Sequence, residues 1–361
     1  MPKLIIATAM LLLAVLGTGC AGMAYLAQSA SGHIQIMQAA RPVDDWLADD
    51  NTPPDLKQRL QKAQQIRRYA SNTLLLPDNA SYRRYAQLQR RAVVRNVVAA
   101  PAYSLTLMTW CFPVTGCVGY RGYFDEQDAQ AQATALRGQG LEASVYGVPA
   151  YSTLGWTNWL GGDPLLSTFI HYPQGELARM IFHELAHQVL YVKDDTAFNE
   201  SFATAVERLG STAWLAGQAD TAAQTEYEAF DTRRRAFKAL TAATRRKLLI
   251  VYAGDSGTSL SADQQEARKS ATYTEFRQSY AQLKQQWDGY AGYDAWVAQA
   301  NNAAFGALAA YDTWVGAFEA LFLEQNGDWA AFYTAAKQLA ALPPGDRIAR
   351  LQQLKDLAMG Q

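Results

Sequence analysis

Apolar positions follow two different rhythms along the chain, and the change between them marks its organisation. Leu56, Leu60, Ala63 and Ile66 recur at helical spacing over Asp55–Ala70, just after Pro53 and Pro54, and predict a helix. Ala80–Val98 reads as a second helix, ending before Pro101. From Tyr103 to Val148 the rhythm shortens: YSLTLM alternates, VGYRGYF and LEASVYGV are β-prone, and Glu126–Arg137 is a helical interlude before Gly138 and Gly140. This stretch predicts a small mixed sheet. Gly147–Ser167, dense in Gly, Pro, Ser and Trp, reads as a loop long enough to carry function. Beyond it the pattern is helical almost throughout. An amphipathic stretch spans Gln174–Tyr191, and a helix capped by Asp194 or Asp195 runs to Leu209 with Gly210 as its stop. Gly254–Ser261 is a clear break, and Pro343, Pro344 and Gly345 precede a short last helix. The fold class expected is α+β, mostly helical, with the small sheet before the central helix and a helical C-terminal part.

The start of the chain has a separate logic. Met1–Lys3 is cationic, Leu4–Leu16 is an apolar run, and Gly17, Thr18 and Gly19 are small residues leading to Cys20. A run of this length is too short for a membrane-spanning helix, so residues 1–19 read as a secretion signal. A small-residue triplet ending in Cys resembles the bacterial lipoprotein signal, which implies lipidation at Cys20 and a chain tethered to the membrane and facing the periplasm. Residues 20–50 would then be a membrane-proximal segment and 51–361 a single domain. The two remaining cysteines, Cys111 and Cys117 in WCFPVTGCVGY, are placed to close a small disulfide loop in an exported protein. Thirty-two basic and thirty-three acidic residues among 361 leave a formal charge of −1, which argues against nucleic acid as a partner. With 49% hydrophobic residues the chain can bury a large core.

The chemistry concentrates in one stretch. Of four histidines, two fall in HELAH, at His183 and His187, inside the amphipathic stretch. One helical turn separates them, so both rings project from one face, with Glu184 about 100° round the helix. This is a zinc-site arrangement, and a catalytic Zn²⁺ needs a third protein ligand and an open fourth position for water. The acids of DDTAFNESFATAVERLG supply candidates: Glu200 and Glu207 are seven residues apart and share a helical face, so either can turn toward the histidines.

HELAHQ followed by NESFA resembles the gluzincin metallopeptidases, especially zinc aminopeptidases, in which a second helix presents the third ligand from an N-E-x-x-A segment. That resemblance implies Glu200 as the third ligand, with Glu207 either orienting a ligand histidine or paired with Arg208 and its neighbours. Twelve residues separate His187 from Glu200, fewer than in most gluzincins. A closer resemblance spans most of the chain. GHIQIM, RPVDDWL, LLLPDNASY, WCFPVTGCVGYRGYF, GVPAYSTLGW, DPLLSTFI, LARMIFHELAHQVLYVKDDTAFNESFA and NNAAF are similar to a bacterial lipoprotein family assigned as aminopeptidases largely on its zinc motif. A G-x-M-E-N segment, with which well-known gluzincin aminopeptidases hold the substrate's amine, does not occur in the sequence.

The resemblance implies a gluzincin-like fold, one Zn²⁺, a peptide substrate, and Glu184 as the base that takes a proton from water and delivers it to the leaving amine. The developing oxyanion needs a further donor, for which Tyr311, Tyr191, Tyr151 and His171 are candidates, Tyr311 being the one nominated. GVPAYSTLGW follows a β-prone segment and is read as an edge along which an extended peptide adds its backbone. Alternatives of other kinds are a zinc endopeptidase and a non-catalytic periplasmic lipoprotein with a structural zinc.

Overall fold

The structure is a computed structural model that describes residues 25–112, 116–150, 153, 155, 161–253, 260–308 and 313–359. The signal segment, Cys20, Tyr151 and Tyr311 lie outside the described residues, as do Ser152, Leu154 and Trp156 of GVPAYSTLGW and most of the break at 254–261. The chain is α+β and mostly helical. In chain order, residues 25–39 are helical (α1), followed by β1 (Arg41–Pro42), α2 (Val43–Ala48), α3 (Pro54–Asn72), β2 (Arg84–Ala86) and β3 (Val94–Pro101). A hairpin of β4 (Trp110–Phe112) and β5 (Gly116–Val118) leads to β6 (Arg121–Tyr123), α4 (Glu126–Gly138), β7 (Leu141–Val148) and β8 (Leu165–Leu166). The helical part comprises α5 (Gln174–Ala186), α6 (Thr196–Ala216), α7 (Thr221–Ala253), α8 (Ala262–Gln286), α9 (Asp294–Ala298), α10 (Asn302–Leu308), α11 (Val315–Glu324), α12 (Trp329–Ala341) and α13 (Pro344–Met359).

Among the described residues the expected sheet is three small ones. β1 and β8 flank β2, antiparallel and parallel respectively; β6 and β7 flank β3, both antiparallel; β4 pairs antiparallel with β5. β3 and β7 pair along their whole length, from Val94 opposite Val148 to Pro101 opposite Leu141. The helix expected over Ala80–Val98 is therefore wrong, because that stretch holds β2 and most of β3. The reason is burial on both faces. Val97 and Ala99 pack beneath α4 with Ala129, Ala133 and Leu136, while Val98 and Ala100 face Ala303 of α10. A strand covered on both sides loses its alternation, and its β-branched pairs then mimic helical spacing. The alternation of YSLTLM also misled: residues 103–108 form no strand, although Met108 N–H donates to Ala99 O.

Helices fare better. α3 starts with Pro54 in its first turn and buries Leu56, Leu60, Ala63, Ile66 and Ala70 as one stripe. Asp125 caps α4 by accepting from Gln127 and Asp128 N–H, and Asp195 caps α6 by accepting from Phe198 N–H. α5 is shorter than expected: it stops at Ala186, with His187 as its C-cap. The Asn199 amide explains the early end, since it accepts from Val192 N–H and donates to Val192 O, both at 2.7 Å, drawing the chain off the helix axis. α6 runs past Gly210, expected as its stop, to Ala216. Gly210 serves packing instead, because a Cβ there would lie 2.6 Å from Leu74 Cδ1 and 3.1 Å from Phe182 Cδ2.

The main core is shared by α3, α5, α6 and α11–α13, with Phe182, Phe198, Phe202, Phe318 and Phe332 fully buried in it. Ile36 and Val43, within the 20–50 stretch, belong to the same core. The α7–α8 hairpin builds a second, aromatic core with α9 and α10 around Phe237, Phe276, Trp287 and Phe305. Asn302 joins this helical half to the β3–β7 sheet: its side chain donates to Pro101 O and Ala102 O and accepts from the Tyr252 and Tyr273 hydroxyls. Among the described residues no helix is long and apolar enough to cross a membrane.

Candidate metal centre

α5 and α6 pack side by side, and the centre lies where the end of one meets the second turn of the other. His183 sits in the last turn of α5 and His187 at its cap, so their spacing keeps both rings on one side. Their planes cross at 86° and their Nε2 atoms are 3.2 Å apart. Glu200 of α6 reaches the same point, with Oε2 at 3.4 Å from His183 Nε2 and Oε1 at 3.8 Å from His187 Nε2. His183, His187 and Glu200 each offer one donor atom, all within 4.8 Å of one another.

These distances can be tested against a metal. A cation bonded tetrahedrally to imidazole nitrogens at 2.0–2.1 Å and a carboxylate at 2.0–2.2 Å separates its donors by about 3.3–3.5 Å. The two shorter spacings match such a face closely, and the third closes to it with a small rotation of one carboxylate. Charge agrees with geometry. Burial alone would lower the His183 imidazole, but hydrogen bonds and charge from Glu200 and Glu207 outweigh it and raise it well above the ordinary range. The pocket thus favours a positive charge strongly enough to hold a proton where a dication fits. Burial takes His187 the other way, down to about 4, which leaves its ring neutral and able to donate a lone pair. Glu200 is opposed by burial yet held below the usual carboxylate range by the two histidines.

Glu207 does not join the donor group. Its Oε2 lies 2.9 Å from His183 Nδ1, the ring nitrogen facing away from Glu200, and its Oε1 accepts from Arg179 Nε at 2.6 Å. It therefore lies behind the His183 ring, on the side opposite the nitrogen that Glu200 approaches. Burial would raise the Glu207 carboxyl, but Arg179 and His183 together hold it low. Arg179 also pairs with Glu176 at 3.0 Å, and Glu176 with Arg234 at 2.5 Å, so a chain of alternating charge runs from His183 to α7. Neither ring's Nδ1 makes a well-angled hydrogen bond among the described residues, and a carboxylate lies within ion-pair distance of that of His183 alone.

Glu184, one residue after His183, is buried beside this group, and burial pushes its carboxyl up to about 7. An acid so placed changes protonation near neutrality, as a group that takes and returns a proton must. The loop after α5 is fastened from two sides. Gln188 accepts from Asn79 at 2.6 Å and donates to Ser81 at 3.2 Å, and Asn199 clasps Val192 as described above.

Cys111 and Cys117 are bonded to each other across the β4–β5 hairpin, where they are register partners. The hairpin reaches the α5–α6 connection, since Cys117 N–H donates to Asp194 Oδ1 at 2.6 Å. Of the proposed oxyanion donors, Tyr191 lies on that connection with Glu200 and Asp194 as its charged neighbours, while His171 is exposed ahead of α5. Two residues with charged neighbours in the centre escaped the sequence reading. Arg179 stands one turn before His183 on α5, a spacing that the sequence carried. Tyr120 follows the hairpin, and its phenol is raised by burial and by the nearby Glu200, Tyr146, Tyr191 and Glu184. Nothing in its sequence neighbourhood announces that position.

Comparison with curated proteins and with solved structures gives no match. A family model described as "Putative aminopeptidase" matches residues 24–351, which include every described member of the centre. With a match over most of its length, and a two-histidine, one-glutamate group inside it, the chain belongs to this aminopeptidase family.

Proposed function

We propose that the protein is a zinc-dependent aminopeptidase of gluzincin type. The observation that carries the reading is the convergence of His183 Nε2, His187 Nε2 and a Glu200 oxygen at tetrahedral spacing, with Glu184 buried alongside. Three protein donors leave one coordination position for water, whereas a structural zinc closes all four, usually with cysteine. When bound, Zn²⁺ would acidify water and polarise the scissile carbonyl. His183, His187 and Glu200 would hold it. Glu207 fixes the His183 ring by its Nδ1 side, and Arg179 keeps Glu207 ionised. Glu184 accepts the proton of the attacking water at its carboxylate and returns it to the leaving amine nitrogen.

The test is Glu184→Gln, with zinc content and peptide turnover measured on the same preparation. Zinc at one equivalent with hydrolysis lost supports the reading. Loss of zinc with the substitution, or unchanged turnover, contradicts it. Free-amine and N-blocked peptides separate an aminopeptidase from an endopeptidase, which the missing G-x-M-E-N segment keeps in view. Wild-type protein that binds zinc and cleaves neither kind favours the non-catalytic lipoprotein. The sequence of residues 1–20 further supports export and lipidation at Cys20, placing the enzyme on the membrane surface facing the periplasm. Incorporation of radiolabelled palmitate, lost in Cys20→Ser, tests that placement.

A further inference from the structure

The second metal-facing ring stands where a helix stops holding its own backbone. His187 is the C-cap of α5: its N–H reaches His183 O at 3.3 Å, and the next N–H, that of Gln188, turns to Leu185 O, three residues back. Its Nδ1 has neither a hydrogen bond nor an ion pair among the described residues, whereas Glu207 lies behind the His183 ring. A metal site tolerates donor errors of only about 0.5 Å, so the backbone that carries this ring needs an anchor of its own.

The loop LLLPDNASY, residues 74–82, supplies one, and the metal chemistry otherwise leaves this stretch unused. Arg67 of α3 is only 1% exposed and donates into the loop from beneath, from Nε to Ser81 O at 2.9 Å and from one terminal nitrogen to Pro77 O at 2.8 Å and Asn79 O at 3.3 Å. A buried guanidinium bonded in this way cannot shift without stranding its charge. Leu75 and Tyr82 lie in the left-handed region at φ +54° and +65°, a conformation that such residues keep only where their surroundings impose it. Gly162 closes the other side, since a Cβ there would lie 2.5 Å from Ser81 N. Held from both sides, the loop presents two side chains to one target. Asn79 Nδ2 donates to Gln188 Oε1 at 2.6 Å, and Gln188 Nε2 donates to Ser81 Oγ at 3.2 Å. Both ends of the Gln188 amide are thus engaged, and Gln188 directly follows His187.

Building on the metal-centre reading, we infer that Gln188 is a positioning residue for His187: the 74–82 loop grips its amide and thereby sets the backbone from which the second ligand ring projects. The two ligand histidines are then held by different means, His183 with a carboxylate behind its ring and His187 through the next residue of the chain. Arg67 acts at one remove, by fixing the loop. Loss of an outer partner of a metal ligand costs about 10–100-fold in affinity. Gln188 acts across one peptide unit and not on the ring itself, which places its removal at the lower end of that range.

Gln188→Met keeps the length of the side chain and removes both hydrogen bonds. In the full chain it is expected to weaken zinc binding about tenfold in competition with a chromophoric chelator. It should also alter the visible absorption of the cobalt(II)-loaded protein, which reports the arrangement of donors around the ion. Asn79→Ala, made from the loop side, should act in the same direction, and the double variant should lose little more than the larger single loss, because both substitutions remove one shared contact. A purely structural role predicts lower melting temperatures for the metal-free variants, with zinc affinity within about twofold of wild type and an unchanged cobalt spectrum. That result would overturn the inference, as would fully additive losses in the double variant. If Gln188→Met does not fold, Asn79→Ala carries the same comparison of affinity and spectrum. A wild type that binds neither zinc nor cobalt overturns the metal-centre reading and this inference with it. Zinc binding without peptide turnover, still weakened by Gln188→Met, upholds the positioning role and removes the peptidase reading.

Discussion

Replacing Glu207 by Gln tests the division of labour between the two acids of α6. The substitution keeps volume and an acceptor but removes the charge that lies 2.9 Å from His183 Nδ1 and 2.6 Å from Arg179 Nε. Loss of an orienting acid behind a ligand histidine costs about 10–100-fold in metal affinity, or about 1.4–2.7 kcal/mol. Glu200→Gln removes a donor that points at the metal position, so its loss must exceed that range. The second consequence is on stability. Glu207 has a side chain only 4% exposed, and Arg179 keeps its pairing to Glu176 when Glu207 is neutralised. A full buried-pair penalty of about 3–5 kcal/mol is therefore reduced to roughly 1–3 kcal/mol, because Arg179 is partly solvated and retains one partner. Competition for zinc against a chromophoric chelator measures the affinities, and urea unfolding of the metal-free proteins measures the stabilities. Glu207→Gln within twofold of wild-type affinity would refute the orienting role. Loss as deep as that of Glu200→Gln would make Glu207 a ligand and refute the geometry.

Two further substitutions probe the centre and its packing. Burial raises the Glu184 carboxyl to about 7 from an ordinary 4.5, so the metal-free folded protein holds that proton more tightly than the unfolded chain. This contribution is complete below pH 4.5 and is lost as pH rises through 7. Glu184→Gln should therefore stabilise the metal-free protein relative to wild type by on the order of 2 kcal/mol at pH 8 and by far less at pH 4. Equal differences in melting temperature at both pH values would count against the burial argument. At Gly210, where a Cβ meets the buried Leu74 and Phe182, Gly→Ala should cost about 1–3 kcal/mol in urea unfolding despite its better helix propensity. Gly316 of α11 faces nothing within 4 Å, so the same change there should gain up to about 1 kcal/mol; stabilisation at both sites would contradict the close-approach reading of Gly210.

Much of the centre was legible in the sequence because its spacing is helical. His183, His187, Glu200 and Glu207 sit on two helices whose periodicity fixes which side chains share a face, so four letters and three intervals constrain the geometry. The difference between Glu200 and Glu207 was not available from periodicity, since both point the same way; it lies in which nitrogen of His183 each approaches. The docking of the disulfide hairpin was illegible for a different reason. It rests on the bond between Cys117 and Asp194, a contact between residues 77 positions apart that leaves no local pattern. In the fold, α3 declared itself through a polar outer face and an apolar stripe, whereas β3 concealed itself through burial on both sides. Gly210 looked like a helix stop because a sequence does not distinguish a glycine needed for a turn from one needed for close packing.

The most direct test of the central claim is a zinc-edge anomalous difference map from crystals of the zinc-loaded protein. The account predicts one strong peak, about 2.0–2.2 Å from His183 Nε2, His187 Nε2 and a Glu200 oxygen, with no protein donor in the fourth position. A peak enclosed by four protein donors, or no peak between α5 and α6, would contradict it.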